Sequence, residues 1–366
     1  MNHPLRIGID ARELLGASTG VGRYLGELML RWTTRPDAER RHFVLFSPEP
    51  LGVTFPSGTV EVRVTGEGKG TRWEQTHLRR AVRTEPLDVF FAPAYTAPLG
   101  TRCPLAVTIH DVSFVAHPEW FRTREGFRRR WLTRRTARTA AVVLTVSEFS
   151  KREIEKYLRV EPARIQVISN GITPRHLAGR QGPAREPLVL FVGSIFNRRH
   201  VPDLIAAFAR ATTDLPKARL AVVGDDRSWP PQNLADVVAA HGVQERTEIV
   251  SYVSEATLAD FYARASVFAF LSEYEGFGLT PLEALSSGVP PVVLDTAVAR
   301  EVYGDAAIYV QQGDIEGTAA ALRSCLVDPK SAEFVLANAP AVLERYSWDT
   351  AARQTLEQLE RIARPR

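Results

Sequence analysis

Cysteine is almost absent: Cys103 and Cys325 are the only two in 366 residues, and they lie far apart. Neither sits in a CxxC or His-rich setting, so the sequence supports neither a disulfide framework nor a zinc site, and a reducing cytoplasm is the expected compartment. Long hydrophobic runs are missing too. No apolar stretch reaches membrane-spanning length, and MNHPLRIGID lacks the basic-then-apolar pattern of a signal peptide, which argues against secretion by that route and against a membrane span. No short repeat or low-complexity tract occurs. The only adjacent acids near a strand end, Asp225 and Asp226 in VVGDDR, read as the start of a loop rather than as a divalent-metal site. No recognised DNA- or RNA-binding motif is present, so nucleic acid is not an expected partner.

What is present is an ordinary globular composition, 45% hydrophobic and 24% charged, long enough for two domains with substantial cores. The net charge of +4 conceals an asymmetry. Residues 1–180 carry 29 Lys and Arg against 18 Asp and Glu, whereas residues 181–366 carry 17 against 24, so the two halves have different electrostatic jobs or surroundings. Short apolar runs recur near Ile7, Val44, Phe90, Val107, Val143 and Val167, and again near Phe191, Val222, Val250, Phe268, Val293 and Ile308, with helical segments between several of them. Strands alternating with amphipathic helices imply mostly parallel sheets covered on both faces. The expected organisation is a Rossmann-like domain over residues 1–176, a Gly- and Pro-rich linker over 177–187, a second Rossmann-like domain over 188–346, and a C-terminal helix over 347–366 that could return to the first domain.

The most informative stretch is EGFGLTPLE, Glu275 to Glu283. Pro281 suits the first turn of a helix, where its missing N–H removes nothing from the ladder, so Gly276 to Thr280 read as the loop before a helix start. Free N–H groups there would face an anion, and Gly276 and Gly278 permit positive φ and close backbone approach. The two carboxylates flank this cradle and suit sugar hydroxyls better than phosphate. A ligand with both a diphosphate and polyols, such as a nucleotide sugar, fits. For either glutamate alone a solvated helix surface is the better reading; the assembly between two strand-like runs favours a site.

With RIGIDAR and GVGRY, TIHDVSF, LTVSEFSKREI, VISNGI, FVGSIFNRRH and VAREVYGDAA in order along the chain, this motif resembles the retaining nucleotide-sugar glycosyltransferases of the GT-B fold, family four, and among them bacterial polysaccharide mannosyltransferases. The resemblance implies two doubly wound α/β domains facing a central cleft. It further implies transfer of a hexose, mannose from GDP-mannose being favoured over UDP-glucose, to a glycan, lipid-linked or small-molecule acceptor. No metal or cofactor beyond the nucleotide-sugar co-substrate is expected. By this likeness Glu275 holds hydroxyls of the transferred sugar and Glu283 the ribose, while the backbone at Phe277, Gly278 and Leu279 holds the diphosphate. Arg199 takes the place of the family's usual lysine, Ser194 that of an arginine, and Arg198 is positioned to compensate. Val253 would meet the base through its backbone. In the first half, His110 resembles the histidine beside the anomeric carbon, and Gly20 and Gly22 the N-terminal glycine loop. Arg23 and Asp111 are acceptor candidates, with Asp111 a candidate also for fixing the His110 tautomer. For Gly20 and Gly22 the competing reading is a turn before a helix starting near Gly22; GVGRYLG fits a dinucleotide fingerprint poorly, since RIGID ends about nine residues too early.

The Arg-rich segment 121–138 sets Phe127, Trp131 and Leu132 close to one helical face. It could rest on an anionic cytoplasmic membrane face or meet a phosphate-bearing acceptor, or its apolar stripe could simply pack on the sheet. Two other functions are compatible with the fold: a nucleotide-sugar epimerase, which has no use for the paired-glutamate motif in this form, and a non-catalytic nucleotide-sugar-binding protein.

Overall fold

The computed structural model describes residues 3–16, 20–56, 58–173 and 185–363. Most of the expected linker, 177–187, lies outside the described residues. Two compact units form: the first comprises Met1–Pro118, Thr123–Gly171 and Tyr346–Arg366, and the second Glu119–Arg122 and Ile172–Arg345.

The first unit is built on seven strands: β1 (Leu5–Asp10), β2 (Arg41–Ser47), β3 (Val60–Val64), β4 (Val89–Ala92), β5 (Leu105–Thr108), β6 (Val142–Thr145) and β7 (Ile165–Val167). Their order is β3-β2-β1-β4-β5-β6-β7, and every pairing is parallel. Runs such as VFFA in β4 and VVLT in β6 are buried at every position, as strands covered by helices on both faces require. β3 is the strand the apolar-run reading misses. Its VEVRV alternates with charge because it is the sheet edge, and it is largely exposed.

The second unit has six parallel strands: β8 (Glu186–Val192), β9 (Arg219–Val223), β10 (Thr247–Val250), β11 (Ala265–Phe270), β12 (Pro291–Leu294) and β13 (Ile308–Val310). They are ordered β10-β9-β8-β11-β12-β13. In each sheet the winding reverses beside the first strand, between β1 and β4 and between β8 and β11. Loops leaving the carboxyl ends of those strands splay apart there and leave a crevice, the usual ligand position in doubly wound sheets.

The C-terminal helix, Trp348–Ile362, belongs to the first unit. Its first turn is capped by the Ser347 hydroxyl, which accepts from the Thr350 N–H. Its apolar face packs on the Gly20–Thr34 helix, and the Trp32 indole donates to the Ala352 carbonyl at 2.8 Å. The glycine of VISNGI has its reason here: a Cβ on Gly171 would lie 2.1 Å from the Trp348 nitrogen.

Candidate functional site

In the second unit, two loops meet at the point of reversal. One follows β11 and carries Glu275; the other follows β8 and ends in the short turn Asn197–Arg199. Residues 76 positions apart thereby become partners: Arg199 donates from Nε and Nη2 to Glu275 Oε1, both at 2.8 Å. Ser272 also donates to that oxygen at 2.9 Å, and Arg199 Nη1 donates to the Ser194 carbonyl at 2.8 Å. The charge of Arg199 is therefore matched by Glu275, and the residues assigned to the diphosphate and to the sugar are joined in one ion pair. All of these bonds to Glu275 fall on Oε1 and none on Oε2.

Arg198 is in the opposite state. It is buried at 8% exposure, its guanidinium lies 4.2 Å from the centre of the Phe196 ring, and its Nε donates to the Tyr274 carbonyl at 3.1 Å. No described carboxylate pairs with it. The Arg198 carbonyl accepts from the Glu273 N–H at 2.9 Å, so this residue also joins the two loops.

Gly278 ends the loop with φ +86°, and the following helix runs Leu279–Ser286. Leu279 and Thr280 are thus helical, two residues earlier than the proline suggests, because the left-handed turn at Gly278 already redirects the chain. Pro281 is the third residue. Gly278 offers no side-chain cap, so the first N–H groups have no intrahelical acceptor. The Tyr303 hydroxyl donates to the Gly278 carbonyl at 2.9 Å and fixes the turn. Phe277 is buried beneath it. Glu283 is 4% exposed, and its Oε2 accepts from the Tyr262 hydroxyl at 3.1 Å. It is an oriented, buried carboxylate, not a solvated one. Val253 lies in the connection between β10 and the Glu255–Arg264 helix.

In the first unit, His110 follows β5 and its Nε2 lies 2.9 Å from the Pro93 carbonyl, an acceptor only. Nε2 therefore carries the proton, and Nδ1 presents a lone pair in the neutral ring. Burial holds the pKa below the usual histidine value despite the nearby Asp111, so the neutral form prevails at pH 7. Tyr24 and Tyr95 both present edge contacts to the ring, with centroids 5.0 and 5.8 Å away. The tautomer is set by Pro93 and not by Asp111, which is otherwise engaged: Oδ1 accepts from the Ser113 N–H and hydroxyl at 2.8 and 2.5 Å, and Oδ2 from the Tyr95 hydroxyl at 2.8 Å. Gly20 and Gly22 do not form a loop. Both lie in the first turn of the Gly20–Thr34 helix, with Arg23 next to them and half-buried; residues 17–19 lie outside the described residues.

Sequence reasoning missed a network below β1. Arg12 bonds the fully buried Glu74 and pairs with Asp10 at 2.8 Å. Thr96 and Gln75 also donate to Glu74, at 2.6 and 2.7 Å. Burial pushes the Asp10 carboxyl up to about 6. The Asp-x-Arg of RIGIDAR is its only sequence trace, since Glu74 arrives from a distant helix. The Arg-rich segment forms the Thr123–Thr139 helix, where Leu132 is buried but Phe127 and Trp131 are 67% and 54% exposed. The stripe expected on one face is split, because Leu132, Thr133, Thr136 and Ala137 form the packing side. No helix among the described residues is long and apolar enough to cross a membrane.

Two parallel α/β units with acids, arginines and a helix start at the strand ends are the architecture of a GT-B glycosyltransferase. The sequence matches the Glycosyltransferase Family 4 model over residues 19–176 and the Glycosyl transferases group 1 model over residues 177–341, and the chain belongs to this family. It is 26% identical to O-antigen chain mannosyltransferase B of Escherichia coli, over 92% of this chain and 95% of that protein. It is 28% identical to the GDP-mannose:cellobiosyl-diphosphopolyprenol alpha-mannosyltransferase of Xanthomonas campestris, over 58% of this chain and 55% of that one. Among solved structures, sucrose-phosphate synthase from Thermosynechococcus elongatus shares the fold with a TM-score of 0.77, at 18% identity and 98% coverage of both chains.

Proposed function

We propose that this glycosyltransferase is a retaining hexosyltransferase that takes mannose from GDP-mannose and passes it to a glycan or lipid-linked acceptor. The observation that carries the reading is the cluster in the second unit: the uncompensated Arg198, the oriented Glu275 and the uncapped helix start at Leu279. A diphosphate leaving group builds up negative charge, which Arg198 and the first N–H groups of the helix would stabilise without a metal ion. Arg199 then acts through Glu275, holding Oε1 so that Oε2 faces the sugar hydroxyls. Glu283, aimed by Tyr262, takes the ribose, and the Val253 backbone takes the base. From the first unit, neutral His110 would accept a hydroxyl proton of the transferred sugar in a hydrogen bond at Nδ1, with Gly20, Gly22 and Arg23 near the acceptor. Retention follows if the leaving phosphate helps to deprotonate the acceptor hydroxyl on the face it departs from. Mannose is favoured by the names of the relatives above. The exposed Phe127 and Trp131 on a basic helix are suited to a peripheral position on an anionic cytoplasmic membrane face.

Thermal-shift measurements with GDP, UDP and ADP, then with the matching sugar donors, test this. GDP should stabilise most, and Glu275→Ala should abolish transfer while leaving the fold intact. Stabilisation by no nucleotide, or unchanged turnover in the variant, would overturn the assignment.

A further inference from the structure

The first unit contains a cavity of about 620 Å³ walled by the segments that follow β1, β2, β3 and β4, with the Thr123–Thr139 helix along one side. Its position at the carboxyl ends, on the side of the winding reversal, is where a doubly wound sheet takes a ligand. Its charges are not distributed evenly. Arg12 is held by Asp10 and Glu74 and brings no free charge. Lys69, Arg128 and Arg129 also line the cavity, and no described carboxylate lies within ion-pairing distance of any of them. Two acids of the wall, Glu13 and Glu49, have none of these cations as partner.

Arg129 is the most fixed of the three. Its guanidinium lies 4.6 Å from the Tyr95 ring centre and 4.5 Å from that of Phe114. Aromatic contacts orient a guanidinium without cancelling its charge. Tyr95 is itself constrained: its φ is +54°, a costly value for a side-chain-bearing residue. The conformation is held by its N–H, which donates to the Thr108 carbonyl at 2.8 Å, and by its hydroxyl, which donates to Asp111. The same ring touches His110. A strained tyrosine thus links an unpaired arginine to the histidine assigned to the transferred sugar.

We infer that this cavity binds the acceptor through a phosphoryl group, with Arg129 as its anchor, Lys69 and Arg128 beside it, and Glu13 and Glu49 free to accept from sugar hydroxyls. This deepens the glycosyl-transfer reading by naming the acceptor class, a phosphorylated sugar, and rests on that reading only for the word acceptor. Binding itself can be measured separately. Titrating the full chain, saturated with its preferred nucleoside diphosphate to occupy the second unit, with mannose 1-phosphate should give binding that free mannose does not. Arg129→Ala should weaken it about tenfold or more, Arg129→Lys less, and the exposed Lys69→Ala also measurably, all with nucleotide affinity unchanged. A farnesyl-diphosphate-linked mannose distinguishes the source: tighter binding than mannose 1-phosphate assigns a lipid-linked acceptor, and equal binding a soluble one. Equal affinity for mannose and mannose 1-phosphate, or no loss in both Arg129 variants and Lys69→Ala, overturns the proposal. Absence of nucleotide binding would instead remove the donor reading and leave the cavity result standing.

Discussion

Replacing Gly278 by alanine should injure the second unit in a way that one other substitution can partly undo. Two costs combine. A φ of +86° disfavours a residue with a Cβ by about 1–2 kcal/mol. The new Cβ would also sit 2.0 Å from the Tyr303 hydroxyl oxygen, with the next ring atom at 3.3 Å. Tyr303 is 3% exposed and cannot swing freely; displacing it costs about 1–3 kcal/mol of overpacking and about 1 kcal/mol for its hydrogen bond to Gly278. The expected loss is therefore about 3–6 kcal/mol, adding these contributions. Tyr303→Phe removes the clashing oxygen and leaves the backbone strain, and the hydrogen bond is lost only once in the double variant, so the loss there should be about 2–4 kcal/mol smaller than the sum of the singles. A chain of two units need not unfold in one step, so the quantity to follow in urea is the transition that shifts with nucleotide. Additivity of the two substitutions within about 0.5 kcal/mol, or a loss below about 1 kcal/mol for Gly278→Ala, would refute the reasoning.

Arg198→Ala should weaken binding of the nucleoside diphosphate by about tenfold or more while leaving affinity for the unphosphorylated nucleoside unchanged, since only a charge-assisted contact is lost; equal losses for both ligands in calorimetry would return Arg198 to a purely packing role. Burial pushes the Asp10 carboxyl up to about 6 in the fold against 3.8 ordinarily, so the folded state holds an extra proton between those values, and this group's contribution to stability is greatest below pH 4 and is lost as pH rises through about 6. Comparing unfolding free energies of the chain with those of Asp10→Asn across pH 4 to 7 isolates the effect, which at full ionisation is about 3 kcal/mol; parallel profiles would show that burial does not perturb this carboxyl.

The strands that form both cores are legible because each is a short apolar run, and twelve of the thirteen lie at the residues the runs indicate. β3 escapes because an edge strand with one wet face needs no such run. The glutamate motif shows its loop and helix, yet not that Arg199 spends its charge on Glu275. That pairing depends on β8 and β11 being neighbours, a consequence of strand order and not of local pattern. The same holds for Glu74, whose burial against Arg12 joins segments 62 positions apart. Gly171 is visible as part of a phrase, but its need for no side chain appears only once the Trp348 backbone is in place.

The two units solve one electrostatic problem by the same construction. In each, an arginine at the point of reversal is neutralised by buried or half-buried acid, Arg199 by Glu275 and Arg12 by Asp10 and Glu74. In each, another arginine is held by ring faces instead, Arg198 by Phe196 and Arg129 by Tyr95 and Phe114. The difference decides which residue can receive an anion. A carboxylate about 4 Å from a guanidinium at an effective dielectric near 20 holds it by about 4 kcal/mol, which an incoming phosphate would have to overcome or share. A ring fixes the same guanidinium through its quadrupole and leaves the full charge available. The paired arginines therefore fix the geometry of their loops, and the ring-held arginines are the ones to probe for phosphate, one for the diphosphate of the donor and one for the acceptor.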